Sequence, residues 1–171
     1  MIPTQNLVDS VQNLSQTIED LLVARNLRGM RQVQQALEPG YCLRAAKLLQ
    51  NVRGNILIGT GFPVVDTFET DGPVGAIALY ECLVSIGATP ILVCGQPLYQ
   101  ALSKRYRVHE IQVNQPDQRD AEANLILLQF EPELVISIER PGLTADGEYY
   151  NIDDFPNLNK KIKHEISIVI D

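Results

Sequence analysis

Residues 69–76 read Glu69-Thr70-Asp71-Gly72-Pro73-Val74-Gly75-Ala76 and lie between the apolar run Ile56–Gly59 and a helix-like run, Ala76–Ile86. This order of strand, glycine-rich loop and helix is typical of ligand-binding turns in α/β proteins. The proline suits the first turn of a helix because its missing N–H would be unpaired there, and the free amides of that turn favour an anionic group. Since the loop also carries two carboxylates, it suits a ligand with both charges, such as an amino acid. The alternative is helix capping by Thr70 or Asp71.

The chain from Asn55 onward alternates short β-branched apolar runs with helical patterns. Strands are predicted at Ile56–Gly59, Pro90–Cys94, Glu110–Val113, Leu134–Ile138 and Ile166–Ile170. Helices are predicted at Pro73–Ile86, Pro97–Tyr106 and Asp117–Phe130. This alternation predicts an α/β, Rossmann-like fold, in which a mainly parallel sheet is flanked by helices on both faces.

Residues 1–53 are predicted to form a helical N-terminal segment that packs on an α/β domain of residues 54–171. Apolar residues recur every three or four positions along the first helix, at Leu7, Val11, Leu14, Ile18, Leu21 and Leu22. Two shorter helices, Met30–Leu37 and Tyr41–Val52, are separated by Pro39-Gly40. The apolar face predicts a buried packing layer, and the alternative is a surface for a homo-oligomer.

Composition and charge restrict the partners of the chain. A length of 171 residues allows a sizeable core, and a net charge of −7 argues against nucleic acid and anionic membrane surfaces. No apolar run has the length of a membrane span, and the N-terminus, whose first cation is Arg25, does not resemble a signal or transit peptide. Three cysteines without metal or redox spacing indicate free thiols in a reducing compartment. We therefore expect a cytoplasmic protein with a small-molecule partner.

Glycines and charged residues follow the predicted strands. Gly59-Thr60-Gly61 follows the first strand, Glu139–Gly142 the fourth, and Asp171 the fifth. Ligands of open parallel sheets bind beyond the carboxyl ends of the strands, where the strand order reverses. Arg140 is the candidate clamp for a ligand carboxylate because a guanidinium offers two parallel donors. An internal ion pair with a neighbouring glutamate is the alternative.

The chain resembles the D-glutamate cyclase family in the ordered blocks Gly59–Val64, Glu69–Ala76, Ser137–Gly142 and Asp146–Asn151. The resemblance implies a lyase that closes D-glutamate to 5-oxo-D-proline with loss of water. It departs from the family after Asn151, where a Met-Arg-Gly-like turn is usual and Ile152-Asp153-Asp154 stands here. Members of the family also continue through a further glycine-rich acidic block. We therefore expect the chain to correspond to the N-terminal part of the cyclase domain, either truncated at its C-terminus or as a short relative, and the catalytic function can be incomplete in it.

Ring closure of glutamate requires groups that move protons and bind carboxylates. Glu69 or Asp71 is the candidate base, and Tyr149 or the second carboxylate is the candidate acid. The resemblance adds weight to Tyr149 and to Asp146. The substrate-binding candidates are Gly59, Thr60, Gly61, Gly72, Arg140, Asp146 and Asn151.

No cofactor is predicted from the sequence. The chain has no Walker-type lysine loop, and Gly59-Thr60-Gly61 lacks the third glycine of a dinucleotide-binding fingerprint. A divalent cation such as Mg²⁺ could bind to Asp66, Glu69 and Asp71 through hard oxygen ligands. Two non-catalytic functions remain open: a Rossmann-like module that binds an acidic metabolite or nucleotide, and an assembly role for the N-terminal helices.

Overall fold

The computed structural model describes residues 4–64, 67–112, 118–140 and 168–169. The chain divides into two compact units, Met1–Asn51 and Val52–Asp171. The first unit contains helix α1 (Thr4–Leu22), a 3-10 turn at Leu27–Gly29, helix α2 (Met30–Gln35) and helix α3 (Tyr41–Gln50). Among the described residues, no helix has the length and apolar character needed to cross a bilayer.

The apolar face of α1 is exposed. Four residues of this face, Val11, Leu14, Ile18 and Leu21, keep between 40% and 74% of their surface accessible. The side of α1 that contacts α3 carries the buried polar residues Ser15 and Glu19 instead. Within this unit, hydrogen bonds rather than this apolar face therefore join α1 to α3, and packing of the face on the α/β domain stays a prediction.

Glu19 of α1 satisfies the free amides at the start of α3. Its carboxylate accepts hydrogen bonds from the N–H groups of Gly40, at 2.9 Å, and Cys42, at 3.0 Å, and from the hydroxyl of Ser15, at 2.7 Å. The first amides of a helix have no partner within the helix, and its N-terminus attracts negative charge. Burial acts to raise the pKa of Glu19, but these hydrogen bonds and the nearby Arg44 charge outweigh it, so the pKa lies below its usual value.

The second unit is an α/β domain with one main sheet. Its elements are β1 (Asn55–Thr60), β2 (Pro63–Val64), β3 (Thr67–Phe68), α4 (Asp71–Ser85), β4 (Thr89–Cys94), α5 (Leu98–Leu102), β5 (Val108–Glu110), α6 (Arg119–Phe130), β6 (Leu134–Ile138) and β7 (Ile168–Val169). The sheet has the strand order β5-β4-β1-β6-β7. All pairs from β5 to β6 are parallel, which confirms the predicted Rossmann-like α/β fold with a mainly parallel sheet.

The fifth strand of this sheet runs against the others. β7 pairs antiparallel with β6, with Val135 opposite Val169 and Ile136 opposite Ile168. Its carboxyl end therefore lies at the opposite edge of the sheet from the carboxyl ends of the parallel strands. The sequence-based expectation that this strand contributes its carboxyl end to the site is wrong, and Asp171 itself lies outside the described residues.

The core lies between the central strands and the helices that cover them. Ile56 and Ile58 of β1 and Ile91 and Leu92 of β4 are fully inaccessible to solvent. On one face, Ile126 of α6 packs against Leu57 and Ile91. Consecutive buried residues are what a parallel sheet covered on both faces requires, which is why these strands were predicted from continuous apolar runs.

Several element boundaries differ from the prediction. α4 begins at Asp71, ahead of the proline expected to start it, and the side chain of Thr70 makes no capping hydrogen bond. α5 is shorter than expected and ends at Leu102. β5 begins earlier than expected because its register with β4 pairs Leu92 with Val108.

Candidate active site

The candidate site lies where the strand order reverses. From β1 the chain continues to β4 and β5 on one side of the sheet, whereas β6 lies on the other side of β1. Ligands of open α/β sheets bind beyond the carboxyl ends of the strands at such a point. Thr60 and Ile138, the last residues of β1 and β6, are partners in the parallel register. The segments that follow these two strands therefore begin side by side.

Three carboxylates converge beyond these strand ends. One oxygen atom from each of Glu69, Asp71 and Glu139 lies within 4.8 Å of the others. Glu69 and Asp71 follow β1 and Glu139 follows β6, so the topology of the sheet brings together residues that are distant in sequence. Hard oxygen ligands in this arrangement could hold a divalent cation, and they could equally receive the ammonium group of an amino acid.

A short hairpin connects β1 to the first two carboxylates. Its strands, β2 and β3, pair antiparallel, and the N–H group of Glu69 donates to the carbonyl oxygen of Phe62 at 3.0 Å. α4 begins directly afterwards, and Oδ1 of Asp71 accepts a hydrogen bond from the N–H group of Gly72 at 3.1 Å. Asp71 therefore serves the first turn of α4, as the capping alternative expects, while its carboxylate also belongs to the cluster.

Gly72 places the first turn of α4 directly against Glu139. A Cβ atom at Gly72 would overlap the Cβ atom of Glu139. Glu139 has a φ of 49°, in the left-handed region, which costs a residue with a side chain about 1–2 kcal/mol. Such strain concentrates at functional sites, where the surrounding structure enforces it. The close approach and the unusual backbone together fix Glu139 beside α4.

Thr60 carries a buried hydroxyl group beside the cluster. The residue is fully inaccessible, and its Oγ1 has no hydrogen-bond partner among the described residues. Leaving a buried hydroxyl unpaired costs about 1–3 kcal/mol. Oγ1 lies 3.4 Å from the position that a Cβ atom at Gly72 would take, which is the same position that Glu139 restricts. The hydroxyl therefore lies against the start of α4, beside the glycine that follows Asp71 and that contacts Glu139.

Arg140 crosses the end of β1. Its Nη1 atom donates to the carbonyl oxygens of Thr60, at 3.3 Å, and Gly61, at 3.5 Å. Its Cγ atom lies 4.0 Å from the position of a Cβ atom at Gly59, so the side chain passes over that glycine. The main chain thus holds the guanidinium group next to the residues that follow β1, and its planar fork is suited to a ligand carboxylate.

The thiol of Cys94, at the end of β4, does not contribute reactive chemistry to the site. Burial raises the pKa of Cys94 to about 11, while Arg140 acts to lower it and Glu110 to raise it. The thiol is therefore protonated at neutral pH, and the thiolate is the form that acts as nucleophile or metal ligand.

The structure places most of the predicted site residues at one location. The described candidates at the carboxyl ends of β1 and β6 are Gly59, Thr60, Gly61, Glu69, Asp71, Gly72 and Arg140. Asp66, Asp146, Tyr149 and Asn151 lie outside the described residues, so their roles stay predictions. Glu139 was not singled out from the sequence as a ligand-binding residue, although its position directly after an apolar strand is the signal that identified its neighbours.

The fold places the chain among the Rossmann-like α/β proteins. Within that class, residues 18–164 match the family described as D-glutamate cyclase-like, C-terminal. The chain therefore belongs to the D-glutamate cyclase-like family. The match begins within α1 and is longer than the range from Gly59 to Asn151 that carries the resemblance in the sequence. No individual curated protein matches the chain significantly.

Proposed function

We propose that this protein is a carbon–oxygen lyase that converts D-glutamate to 5-oxo-D-proline and water. Membership in the D-glutamate cyclase-like family supports the reaction class. The convergence of Glu69, Asp71 and Glu139 near Arg140 is the structural observation that supports it best. Glutamate carries an ammonium group and two carboxylates at neutral pH, and this site offers charges of both signs to match them.

The first step is removal of a proton from the ammonium group of the substrate. Only the neutral amine has the free electron pair that can attack the side-chain carboxyl carbon. Glu69 or Asp71 accepts this proton, since both side chains are exposed to an incoming ligand. A positioned general base contributes about 10²–10⁴-fold to the rate of such a step.

Attack then forms the carbon–nitrogen bond and places extra negative charge on the oxygen atoms of the carboxyl group. Arg140 stabilises this charge and holds the substrate in the bent form in which the amine reaches the carboxyl carbon. One carbon–oxygen bond breaks as Tyr149, or the second carboxyl group of the Glu69 and Asp71 pair, protonates the departing oxygen. The two protons that the ammonium group loses leave with that oxygen as water, so the reaction is balanced without another reactant.

Substitutions at the two ends of the site test this proposal. Asp71→Asn keeps the shape of the side chain but removes its charge, and we expect turnover to fall on the order of 100-fold if Asp71 is the base. Arg140→Lys keeps the charge but loses the planar fork, so KM should rise. Glu131→Gln changes an exposed glutamate on the segment that leads into β6, at the opposite edge of the sheet, and is the matched control.

The measurement is mass spectrometry with chiral chromatography after incubation of the protein with D- or L-glutamate. A product one water lighter than D-glutamate supports the lyase. Binding of D-glutamate by calorimetry without any product would instead support the non-catalytic module that binds an acidic metabolite. Absence of both binding and product with either isomer rules out the proposed reaction for this chain.

A further inference from the structure

We propose that Glu69, Asp71 and Glu139 bind one divalent cation that prefers oxygen ligands, such as Mg²⁺ or Mn²⁺, and that the hydroxyl of Thr60 supports this site. The role of the cation in catalysis rests on the proposed function, whereas its binding does not. The two independent observations are the geometry of the carboxylates and a buried hydroxyl without a partner among the described residues, which lies beside the glycine between Asp71 and Pro73 that contacts Glu139.

The spacing of the carboxylates fits a cation. Each of the three residues offers one oxygen atom within 4.8 Å of the others. Oxygen ligands lie about 2.1 Å from Mg²⁺, so two ligands of the same ion are at most about 4.2 Å apart. Small side-chain rotations close the remaining distance. Among the described residues of this site, three carboxylates stand against the one guanidinium group of Arg140, and a divalent cation would neutralise their surplus of negative charge.

Thr60 supplies the observation that an acidic cluster by itself lacks. Its Oγ1 is completely buried and has no hydrogen-bond partner in the part of the chain that the structure describes. It lies 3.4 Å from the position that a Cβ atom at Gly72 would take, and the Cβ and Cγ atoms of Glu139 lie beside the same position. A hydroxyl group there can donate to a ligand carboxylate or to a water molecule on the cation. Groups that hydrogen-bond to the ligands of a metal ion orient those ligands and strengthen metal binding.

The donor set selects the class of cation. All three ligand atoms are carboxylate oxygens, and such ligands suit Mg²⁺, Mn²⁺ or Ca²⁺ rather than softer metals that prefer sulfur or imidazole. The thiol at the end of β4 does not change this choice, because Cys94 is buried and protonated at neutral pH.

A bound cation is compatible with the proposed reaction. It would draw electron density from the side-chain carboxyl group of the substrate and so favour attack by the amine. Each carboxylate has two oxygen atoms, so Glu69 or Asp71 can bind the cation through one and accept a hydrogen bond from the substrate ammonium group through the other. Arg140, which the main chain holds beside the end of β1, would bind the second carboxylate of the substrate.

The test uses the whole chain after removal of metals by a chelator, with Mn²⁺ as the probe. The electron paramagnetic resonance signal of free Mn²⁺ decreases on binding, and calorimetry gives the stoichiometry. We expect one Mn²⁺ per chain and competition by Mg²⁺. Asp71→Asn and Glu139→Gln should each weaken binding at least about tenfold, whereas Glu131→Gln should bind as the unmodified protein does.

Thr60→Val separates the role of the hydroxyl from that of the fold. The substitution keeps the shape of the side chain and removes an unpaired buried polar atom, so the metal-free protein should melt at a higher temperature. Binding of Mn²⁺ should nevertheless weaken by about tenfold. Unchanged Mn²⁺ affinity in this variant would contradict the role assigned to Thr60.

Failure of the cation proposal and failure of the proposed function have different signatures. No Mn²⁺ binding at millimolar concentration, or equal binding by the Asp71→Asn and Glu139→Gln variants, overturns the cation site whatever the activity. One bound Mn²⁺ that these variants lose, combined with no conversion of D-glutamate, supports the cation site and rejects only the lyase. Melting curves with and without Mn²⁺ check that each variant is folded, because a ligand of the native state raises its melting temperature.

Discussion

Gly72 and Glu139 are in such close contact that the first has no room for a side chain. A β-carbon at Gly72 would overlap the Cβ atom of Glu139, whereas one at Gly75, in the next turn of α4, would meet Cγ2 of Ile138 at an ordinary 3.8 Å. The same helix therefore contains one glycine that the site requires and one that it does not.

Alanine substitutions at these two glycines should have opposite effects on stability. Gly72→Ala forces the backbone around Glu139 to move and should destabilise the protein by about 1–3 kcal/mol, which exceeds the gain in helix propensity of up to about 1 kcal/mol. Gly75→Ala should stabilise it by about 0.5–1 kcal/mol. Urea unfolding of both variants measures the difference. A stabilised Gly72→Ala variant would contradict the close approach of α4 to Glu139.

The left-handed backbone of Glu139 predicts a conflict between stability and function. Glycine at this position relieves about 1–2 kcal/mol of strain and loses about 0.5–1 kcal/mol through its greater freedom in the unfolded chain. Glu139→Gly should therefore stabilise the metal-free protein by up to about 1.5 kcal/mol while weakening Mn²⁺ binding.

Glu131 provides the matched control for Glu139. Its φ of 42° lies in the same region, but it stands at the end of α6, away from the carboxylate cluster. Glu131→Gly should gain similar stability in urea unfolding without any loss of Mn²⁺ affinity. If both variants lose Mn²⁺ equally, the effect at Glu139 is not specific to the cluster.

The hydrogen bonds of Glu19 predict a pH-dependent contribution to stability. The folded-state pKa of Glu19 lies below the ordinary value of 4.5, so its contribution is present above that value and is lost as the pH falls through the folded-state pKa. Glu19→Gln should lower the melting temperature at pH 7, and its difference from the unmodified protein should shrink as the pH falls from 4.5 through the folded-state pKa.

The control for Glu19 is another glutamate of the same helical unit. Glu38 is exposed, so Glu38→Gln should leave the melting temperature close to that of the unmodified protein at both pH values. Circular dichroism at 222 nm follows these transitions. A Glu19→Gln penalty that stays constant between pH 7 and pH 3 would show that the effect does not depend on the charge.

Burial of the cysteines predicts the order in which their thiols react. Cys82 is exposed and Cys94 is buried. With a pKa of about 11, about one Cys94 thiol in a thousand is ionised at pH 8. A colorimetric thiol reagent should therefore modify Cys82 in a fast phase that Cys82→Ser removes, and Cys94 in the slowest phase. Mass spectrometry of the labelled protein assigns the phases, and rapid labelling of Cys94 in folded protein would contradict its burial.

Much of the sheet could be predicted because its strands are buried on both faces. The runs Ile56–Gly59 and Leu134–Ile138 are continuously apolar, a pattern that favours central strands over helices when glycine or charged residues follow. The direction of β7 could not be predicted in the same way. Val135 and Val169 pair in an antiparallel register, but a short apolar run has the same composition in either direction, since direction depends on the path of the preceding chain.

The site was predicted less completely than the sheet. The strand-end rule identified Glu69, Asp71 and Arg140, because the carboxyl ends of neighbouring parallel strands lie together. It did not reveal that Glu139 completes the cluster, since a left-handed glutamate has no signature in the sequence. The spacing of apolar residues every three or four positions in α1 likewise indicated an apolar face. It did not indicate whether another element covers that face, and Leu14 and Leu21 are exposed. Whether this face forms a homo-oligomer stays a prediction, which light scattering can test.

The hairpin between β1 and α4 offers a place for insertions that leave the carboxylate cluster intact. Its base is held by the hydrogen bond from the N–H group of Glu69 to the carbonyl oxygen of Phe62 and by the pairing of Pro63 with Phe68. Residues inserted between Val64 and Thr67 would lengthen the connection from β2 to β3 while this base keeps the first turn of α4 in position. Libraries of such insertions would therefore vary the segment next to the cluster while leaving the carboxylates of Glu69 and Asp71 where they are.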